Sequence, residues 1–320
     1  MPDSLFSIIA IPILAVALDW LIGDPKSWPH PVRVIGATLD AIEASAEKVD
    51  LSIKTTGWIT LLSFPALAWG ITAILISLPI LGSLVAVYLS FAGLALGCLL
   101  KDAEEVTRQI DRGKLEDARK ALSYLVSRDT SAMDAPEMRK TLAETMSENL
   151  NDGFVAPLFY LCLLGPGGLW AYKVVSTMDS MWGYRTTRFQ ELGFAGARAD
   201  DVLAYVPARL TAKLLMGAGS RMGLNTELAA ANYQGDAQQM ESPNAGHPMA
   251  AAAWLAMGEM GGKFVYGGKL KDKPVMGPKG SSWDAKKLRT LFQLCRKAGF
   301  YAICTFIPVL GLTQWILFKT

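Results

Sequence analysis

Charge is scarce in this 320-residue chain: Asp, Glu, Lys and Arg make up 19% of it, against 51% hydrophobic residues. The 31 basic and 29 acidic residues nearly cancel and leave a formal charge of +2. This balance excludes an acidic tail and a strongly basic nucleic-acid-binding arm, so we expect no nucleic-acid partner. The high hydrophobic content also excludes a disordered chain.

Histidine and cysteine are scarce too. The chain has two histidines and four cysteines, and the cysteines show no Cys-x-x-Cys spacing. A dedicated transition-metal site needs several such ligands, so the composition argues against one. Because three of the four thiols lie in or near apolar stretches, we predict that they are buried and unreactive. The residues in question are Cys98, Cys162, Cys295 and Cys304.

Long stretches contain no charge at all. Residues 57–100 hold no Asp, Glu, Lys or Arg, and a bilayer core needs about 20 apolar residues per helix. We therefore predict membrane helices at 57–77 and 78–100, joined by a tight turn near Pro79. Further membrane helices are predicted at 4–22, as a retained anchor, and at 298–318. The expected fold class is an all-α, polytopic integral membrane protein with about four or five membrane segments and large cytoplasmic parts. We expect one membrane-embedded catalytic domain over residues 1–320.

The apolar stretch 154–172 is interrupted by Gly165-Pro166-Gly167-Gly168, which predicts a break in its helix. Broken backbone at membrane depth is tolerated where protein or a cavity covers it, so a re-entrant hairpin and a full span both remain open.

Basic residues predict the orientation. Segment 23–56 holds four Lys and Arg, segment 101–153 holds nine, and the turn near Pro79 holds none. The positive-inside rule places the two basic segments in the cytoplasm. We therefore expect a protein of the inner, cytoplasmic membrane with its active site facing the cytoplasm.

The first polar cluster lies at the end of the first apolar segment. Asp19, Asp24 and His30 lie around a turn rich in Gly and Pro, which favours a fixed arrangement. Acid and base side chains of this kind suit proton transfer, so we predict catalytic roles for all three. A capped helix end, in which Asp24 accepts from free backbone N–H groups, is the structural alternative.

A second cluster combines three acids. Glu144, Glu148 and Asp152 follow one another at four-residue intervals in a predicted helix over 138–152, which puts them on one face. Like charges repel at that spacing, and Mg²⁺ held beside a phosphate would offset the repulsion. We predict a magnesium site at these three residues, with Glu148 also catalytic. A solvated acidic face is the alternative.

A third segment, 179–209, alternates arginines with acids. Guanidinium groups bind phosphate and carboxylate through two parallel hydrogen bonds, so the segment predicts an anion site, with an ion-pair network as the alternative. The catalytic candidates here are Asp179, Asp200 and Asp201. The candidate substrate- and phosphate-binding residues of the whole chain are Arg128, Asn149, Tyr184, Arg185, Arg198, Arg209, Ser242 and Asn244. A lysine-rich stretch, 263–287, predicts a solvated loop facing anionic lipid headgroups.

Taken in order and among these membrane segments, the motifs resemble the adenosylcobinamide-phosphate synthase family of cobalamin biosynthesis. The resemblance covers residues 15–315, approximately. It is carried by Leu18–Pro25 with His30-Pro31-Val32, by Leu122–Asp134, by Ser147-Glu148-Asn149 with Asp152-Gly153, by Thr177–Met181 with Gly183-Tyr184-Arg185, by Arg198 with Asp200-Asp201, by Pro207–Leu210 and by Ser242–Gly246. Each motif is weak alone, and their joint order is specific.

The resemblance implies an ATP-dependent acid–amine ligase. Such an enzyme joins adenosylcobyric acid to (R)-1-amino-2-propanol phosphate, or to ethanolamine phosphate, and gives adenosylcobinamide phosphate. It implies Mg²⁺ as cofactor, ATP as co-substrate, and cobalt within the corrinoid substrate alone. The implied partners are the corrinoid, the amino-alcohol phosphate and membrane lipid. A homo-oligomer and an association with other membrane enzymes of the pathway are both left open.

The chain departs from the family at three positions, where Ser176, Ala204 and Thr186 stand at or near usual asparagines. A non-catalytic membrane regulator on the same scaffold, as in the related family that regulates beta-lactamase induction, therefore stays as the alternative. A transporter is disfavoured, because Asp19 is the one ionisable residue within the predicted membrane segments.

Overall fold

The computed structural model describes residues 5–25, 27–46, 52–183, 189–266 and 269–318. Within these residues the chain folds into thirteen α-helices and one two-stranded hairpin, which confirms the predicted all-α class. In chain order the elements are α1 (Leu5–Leu21), α2 (Pro31–Ala46), α3 (Ile53–Ile76), α4 (Gly82–Ala92), α5 (Leu96–Asp111), α6 (Leu115–Ser123), α7 (Ala135–Leu150), a π-helical turn (Asn151–Val155), α8 (Ala156–Trp182), α9 (Phe194–Leu203), α10 (Tyr205–Arg221), α11 (Thr226–Ala237), α12 (Gly246–Ala256), β1 (Met260–Tyr266), β2 (Lys269–Met276) and α13 (Ala285–Phe318).

Four helical stretches in the described part of the chain are long and apolar enough to cross a membrane. They are Ile53–Ile76, Gly82–Asp111, Ala135–Trp182 and Ala285–Ile316, and Ser7–Leu21 adds a shorter apolar helix. In α3, 11% of the apolar window is buried within the protein. Its remaining apolar side chains face outward, where a soluble protein would place polar ones, and lipid would cover them. The chain is thus a polytopic membrane protein.

The predicted hairpin at 57–100 forms, but its second helix differs from the prediction. The connection after α3 is short, and Ile80 in it has a φ of 68° and is 95% exposed. The single helix predicted at 78–100 is instead α4, which ends at Ala92, followed by α5, which runs on to Asp111. The break lies at Gly93, where a Cβ atom would stand 2.3 Å from Leu169 of α8. The sequence pattern misses this break because the close approach of α8 causes it.

The break predicted in 154–172 is confirmed. Gly165 has φ 73° and ψ −171° inside α8, a conformation that is essentially limited to glycine. The helical course continues beyond this kink to Trp182, ten residues past the predicted end. Whether the segment spans or re-enters the membrane stays a prediction.

The helix predicted over 138–152 also ends differently. α7 begins at Ala135 behind a capping box, in which Asp134 and Glu137 accept from each other's backbone N–H groups. After Leu150 the chain widens into the π-helical turn, where each turn takes in one more residue. Asp152 lies in this turn and not in α7 with Glu144 and Glu148, so the predicted single helix over 138–152 does not hold all three acids.

The lysine-rich stretch 263–287 is not a loop throughout. β1 and β2 pair in antiparallel fashion with an irregularity between Met260 and Gly262. Gly261 has φ +82° there, and a Cβ atom on it would stand 2.0 Å from the carbonyl oxygen of Pro274. The segment therefore forms an antiparallel hairpin, and the bulge near its open end needs glycine at position 261.

The cysteine prediction holds in part. Cys162 and Cys295 are buried, whereas Cys98 is half-buried and Cys304 is exposed. Burial was expected because these residues lie in or near apolar stretches. A membrane helix, however, also presents apolar side chains on its outer surface, and Cys304 lies on the outer surface of α13.

The chain divides into two compact units, each made of separate segments. One comprises Met1–Ala95, Asp152–Ala204 and Ile303–Thr320, and it contains α1 to α4, α8 and α9. The other comprises Leu96–Asn151 and Tyr205–Ala302. We call them the first and the second unit. A single domain over 1–320 stays a prediction, since neither unit is a continuous stretch of sequence.

Candidate functional site

The predicted site residues fall into both units, and each unit has its own polar cluster. The first unit holds Asp19, Asp24, His30, Asp152, Asp179, Arg198, Asp200 and Asp201. The second unit holds Arg128, Glu144, Glu148, Asn149, Arg209, Ser242 and Asn244. Tyr184 and Arg185 lie outside the described residues, as does Thr186.

His30 and Asp24 form a pair between α1 and α2. His30 Nε2 lies 3.7 Å from a carboxylate oxygen of Asp24, and His30 Nδ1 accepts from the backbone N–H of Val32 at 3.2 Å. The side chain that accepts a free N–H at the start of α2 is therefore His30 and not Asp24. Burial lowers the pKa of His30, and the nearby Asp24 carboxylate partly opposes this shift. Asp19, at the end of α1, is 1% exposed.

The centre of the first unit's site is Asp200 on α9. Burial raises the pKa of this carboxyl group to about 8, and the carboxylates of Asp152, Asp179 and Asp201 add to the shift, while the ammonium of Lys173 opposes it. Its Oδ1 atom is buried and has no hydrogen-bond partner in the described part of the chain. Near neutral pH this carboxyl group can therefore hold or take up a proton.

The framework around Asp200 comes from α8. The hydroxyl of Tyr160 donates to the carbonyl of Leu203 at the end of α9, over 2.9 Å. Tyr160 stacks on Tyr172 across the kink at Gly165, with ring centroids 4.8 Å apart. The kink thus brings side chains from both legs of α8 to one end of α9. We call Asp152, Lys173, Asp179, Asp200 and Asp201 the acid–lysine cluster.

Arg198 lies at the surface near this cluster. Its guanidinium is 3.8 Å from the carboxylate of Asp201, and its side chain is 68% exposed. A pair this long and this exposed contributes little to stability. The ion-pair network that was the alternative for this segment is therefore weak at Arg198, and its guanidinium is accessible to a ligand anion.

In the second unit, Glu144 is a structural residue. It is 2% exposed and forms an ion pair with Arg128, which is 12% exposed. Its other carboxylate oxygen accepts from the N–H of Gly261 at 2.7 Å. Both oxygens are thus occupied, because the β-hairpin and the segment before α7 close over them. The assignments of Glu144 to metal and of Arg128 to anion binding do not fit these contacts.

The predicted magnesium trio does not assemble. Within the described ranges, no group of three or more His, Cys, Asp or Glu side chains could hold a metal ion. Glu148 is half-buried on α7. The side-chain amide of Asn149 donates to the carbonyl of Thr145 in its own helix at 3.0 Å, so this hydrogen bond lies within α7.

A pocket of about 430 Å³ in the second unit is lined by one predicted binding residue, Arg209, and lies beside the turn that holds Ser242 and Asn244. Arg209 lines it, stacks over the ring of Tyr205 at 3.4 Å and donates to Asn244 Oδ1 at 3.3 Å. Ser242 accepts from the backbone N–H groups of Asn244 and Ala245, both at 3.3 Å. Ser242 therefore shapes the turn, and Arg209 presents its charge to the pocket.

Known proteins match this chain over most of its length. Positions 12–295 match the family described as CobD/Cbib protein. The chain belongs to this family. It is 36% identical over 311 residues to the "Cobalamin biosynthesis protein CobD" of Pelobacter propionicus, covering 96% of this chain and 95% of that protein. It is 34% identical over 302 residues to the "Cobalamin biosynthesis protein CbiB" of Salmonella arizonae, covering 92% and 95% respectively. No solved structure matches the chain.

Ser176 and Ala204, two of the three positions at or near which the resemblance leads us to expect asparagine, lie beside the acid–lysine cluster. Ser176 is half-buried on α8, one turn beyond Lys173. Ala204 is buried at the end of α9, where its N–H donates to the carbonyl of Asp200. An amide at either position would add a polar group within one helical turn of Lys173 or Asp200.

Sequence reasoning missed Lys173. This lysine directly follows the apolar stretch 154–172, where the predicted segment ends. α8 continues past it, so Lys173 and Asp179 both lie in the candidate span Ala135–Trp182. A charged residue within a membrane helix is itself a signal of function.

Proposed function

We propose that this protein is an ATP-dependent ligase of cobalamin biosynthesis. It would join a propionate carboxylate of adenosylcobyric acid to the amine of (R)-1-amino-2-propanol phosphate, or of ethanolamine phosphate, to give adenosylcobinamide phosphate. Membership of the CobD/CbiB family supports the pathway. The observation that carries the reaction type is the acid–lysine cluster, in which one carboxyl group has a pKa of about 8.

The chemistry needs two steps. The substrate carboxylate attacks the terminal phosphorus of ATP and forms an acyl phosphate, with ADP as the leaving group. The amine nitrogen then attacks the acyl carbon, the C–O bond to phosphate breaks, and the nitrogen loses a proton. A general base works best when its pKa is near the operating pH, and ionised Asp200 Oδ1, which has no hydrogen-bond partner in the described ranges, would accept this proton.

Charge compensation is the second task of the cluster. Lys173 lies close enough to Asp200 to lower its pKa against the effect of burial and of three carboxylates. The same ammonium would stabilise negative charge on a phosphate group as it develops. Arg198, which is accessible at the surface, would bind a phosphate through its guanidinium fork.

The cluster fits magnesium by its donors. Carboxylate oxygens are the ligands that Mg²⁺ prefers, and this ion is commonly held by one or two carboxylates together with substrate phosphates and water. Asp152 and Asp179, the carboxylates that act on Asp200, provide two such groups, and Asp200 Oδ1 stays available as the base. When bound with ATP, Mg²⁺ would neutralise phosphate charge. A site completed by substrate phosphates needs no preformed group of three protein ligands.

The test uses purified protein in nanodiscs. Adenosylcobyric acid, aminopropanol phosphate and Mg-ATP are added, and the corrinoid amide is measured by mass together with ADP. We expect product from the wild type, with kcat rising as pH approaches 8. Asp200→Asn should lower kcat by about 100-fold or more and remove this pH dependence. Asp272→Asn, at an exposed acid on β2, is the matched control and should behave as wild type.

The ligase proposal fails if the wild type forms no product while a relative with demonstrated activity does so alongside. A regulator would then account for the family scaffold without turnover. A transporter is favoured by the kink in α8 and by Lys173 and Asp179 within a candidate span. Uptake of the corrinoid into sealed proteoliposomes without any amide product would support that second function.

A further inference from the structure

A cluster of four arginines in the second unit lies outside the sequence motifs that carry the family resemblance. It lines a pocket of about 520 Å³ formed by the end of α5 and the beginning of α13. The lining residues are Glu104, Thr107, Arg108, Asp111, Arg112, Arg289, Phe292, Gln293 and Arg296. Neither helix contributes a residue to the proposed catalytic cluster.

The pocket carries an excess of positive charge. Its lining has four arginines and two acids, a difference of +2. Arg296 forms an ion pair with Glu104. Asp111 forms an ion pair with Arg139, in which the guanidinium nitrogen and the carboxylate oxygen are 2.9 Å apart. Arg112 and Arg289 form no ion pair within the described residues, and the Nε of Arg289 donates to the carbonyl of Ala285 at 3.2 Å. Both side chains are exposed and line the pocket, whereas Arg108 pairs with Glu105 at 2.7 Å.

Helix stability explains only part of this arrangement. The C-terminal end of α5 favours cations such as Arg108, because the helix dipole is negative there. The opposite holds at the beginning of α13, where Arg289 follows Lys286 and Lys287 within the first turns. Cations near a helix N-terminus are unfavourable. The pair of Arg108 with Glu105 at 2.7 Å accounts for Arg108. Folding alone gives no such reason for Arg112 and Arg289 to line the same pocket.

We infer that this pocket binds a phosphate-bearing anion. Guanidinium groups donate two parallel hydrogen bonds to phosphate, and the volume lies within the range of small-molecule sites. The phosphate has two plausible sources in chemistry, a soluble polyphosphate or an anionic phospholipid headgroup. The second is relevant because Arg296 and Lys297 immediately precede the uncharged stretch 298–318, and basic residues beside membrane helices attract anionic lipid.

The test compares Arg112→Gln/Arg289→Gln with wild type. Inorganic pyrophosphate is titrated calorimetrically into protein in neutral detergent. Lipid is tested by native mass spectrometry after reconstitution in phosphatidylcholine with or without phosphatidylglycerol. We expect the double variant to bind the probe about tenfold more weakly or worse, since each lost charged hydrogen bond contributes substantially. Wild-type binding should weaken as salt rises.

Lys213→Gln/Arg221→Gln is the control. It removes the same charge from exposed positions of α10, in the same unit, and should bind as wild type. Melting temperatures of all variants establish that they fold. Arg112→Lys/Arg289→Lys keeps the charge but loses the fork, and should fall between wild type and the Gln variant.

Pyrophosphate binding that the Gln variant loses would identify a soluble phosphate ligand. Phosphatidylglycerol binding that it loses, without pyrophosphate binding, would identify a lipid headgroup. Wild-type affinity in the Gln variant, an equal loss in the control, or no binding of either probe would each overturn the inference. The measurement involves no turnover, so it stands or falls independently of the ligase proposal.

Discussion

Asp200 has a carboxyl pKa far above the ordinary pKa of an aspartate. Its ordinary pKa is 3.8, and in the folded chain it is raised to about 8 by burial and by neighbouring carboxylates. A folded-state pKa above the unfolded value means that the unfolded chain ionises first. Folding therefore costs more as pH rises between these two values, and the cost is constant above the higher one.

We predict that Asp200→Asn removes this dependence. Wild-type stability should fall as pH rises from the region of 3.8 to about 8, by an amount on the order of a few kcal/mol. The variant should have a flatter profile and a higher melting temperature at the alkaline end. Thermal unfolding in detergent across this range measures both. A wild-type profile parallel to that of the variant would show that Asp200 titrates normally.

Arg128 and Glu144 illustrate the opposite case, in which two predicted ligand-binding residues satisfy each other. Removing one member of a buried pair leaves an uncompensated charge and costs about 3–5 kcal/mol. Glu144→Gln should therefore destabilise the protein by roughly that amount. Arg128→Met/Glu144→Gln should be less destabilised than the sum of the two single changes, because no lone charge remains buried.

Chemical unfolding of the three variants gives this comparison. If Glu144 were a magnesium ligand, Glu144→Gln would instead fold with wild-type stability and lose Mg²⁺ affinity. That result would restore the role predicted from the sequence.

At the scale of elements, the kink of α8 decides the shape of the site. Gly165 adopts φ 73° and ψ −171°, and a Cβ atom on it would stand 3.0 Å from Nε2 of Gln314. Beyond the kink the helix carries Lys173 and Asp179. The kink thus allows one apolar segment to deliver charged side chains to α9 while its first leg stays apolar.

We predict that Gly165→Ala destabilises the protein by about 1–3 kcal/mol, since alanine is strained in this conformation. Gly70→Ala is the matched control. Gly70 lies in α3, another membrane helix, and a Cβ atom there would meet nothing within 4 Å. It should be neutral, or stabilising by up to about 1 kcal/mol. Unfolding in detergent compares the two, and equal effects would argue against strain at the kink.

At the scale of the whole molecule, the distribution of charge predicts the orientation. The turn between α3 and α4 carries no basic residue, and Ile80 within it is 95% exposed. Lys114, in the basic segment 101–153, is exposed between α5 and α6. The positive-inside rule puts these two turns on opposite sides of the membrane.

Cysteine labelling measures this arrangement. In a background with Cys98, Cys162, Cys295 and Cys304 replaced, Ile80→Cys in intact cells should react with a membrane-impermeant maleimide. Lys114→Cys should react only after permeabilisation. The reverse pattern would invert the orientation, and reaction of both in intact cells would exclude the predicted hairpin. The expected cytoplasmic site depends on this result.

The sequence by itself determined the features that local chemistry dictates. Apolar runs long enough for a bilayer, uncharged except for Asp19 in α1, gave the positions of α1, α3 and the second half of α13, and the Gly-Pro-Gly-Gly segment gave the kink of α8. The ordered motifs gave the family. These signals reside in neighbouring residues, so no knowledge of packing is needed to detect them.

The tertiary structure decided what depends on residues far apart in the chain. Packing of α8 against Gly93 broke the helix predicted at 78–100. The β-hairpin and Arg128 bind both carboxylate oxygens of Glu144, and a π-helical turn replaces the α-helix predicted at Asp152. The approach of α9 to α8 brought Lys173 and four acids together, and their coupling raised the pKa of Asp200. Electrostatic coupling depends on distance and burial, and neither can be obtained from spacing along the chain.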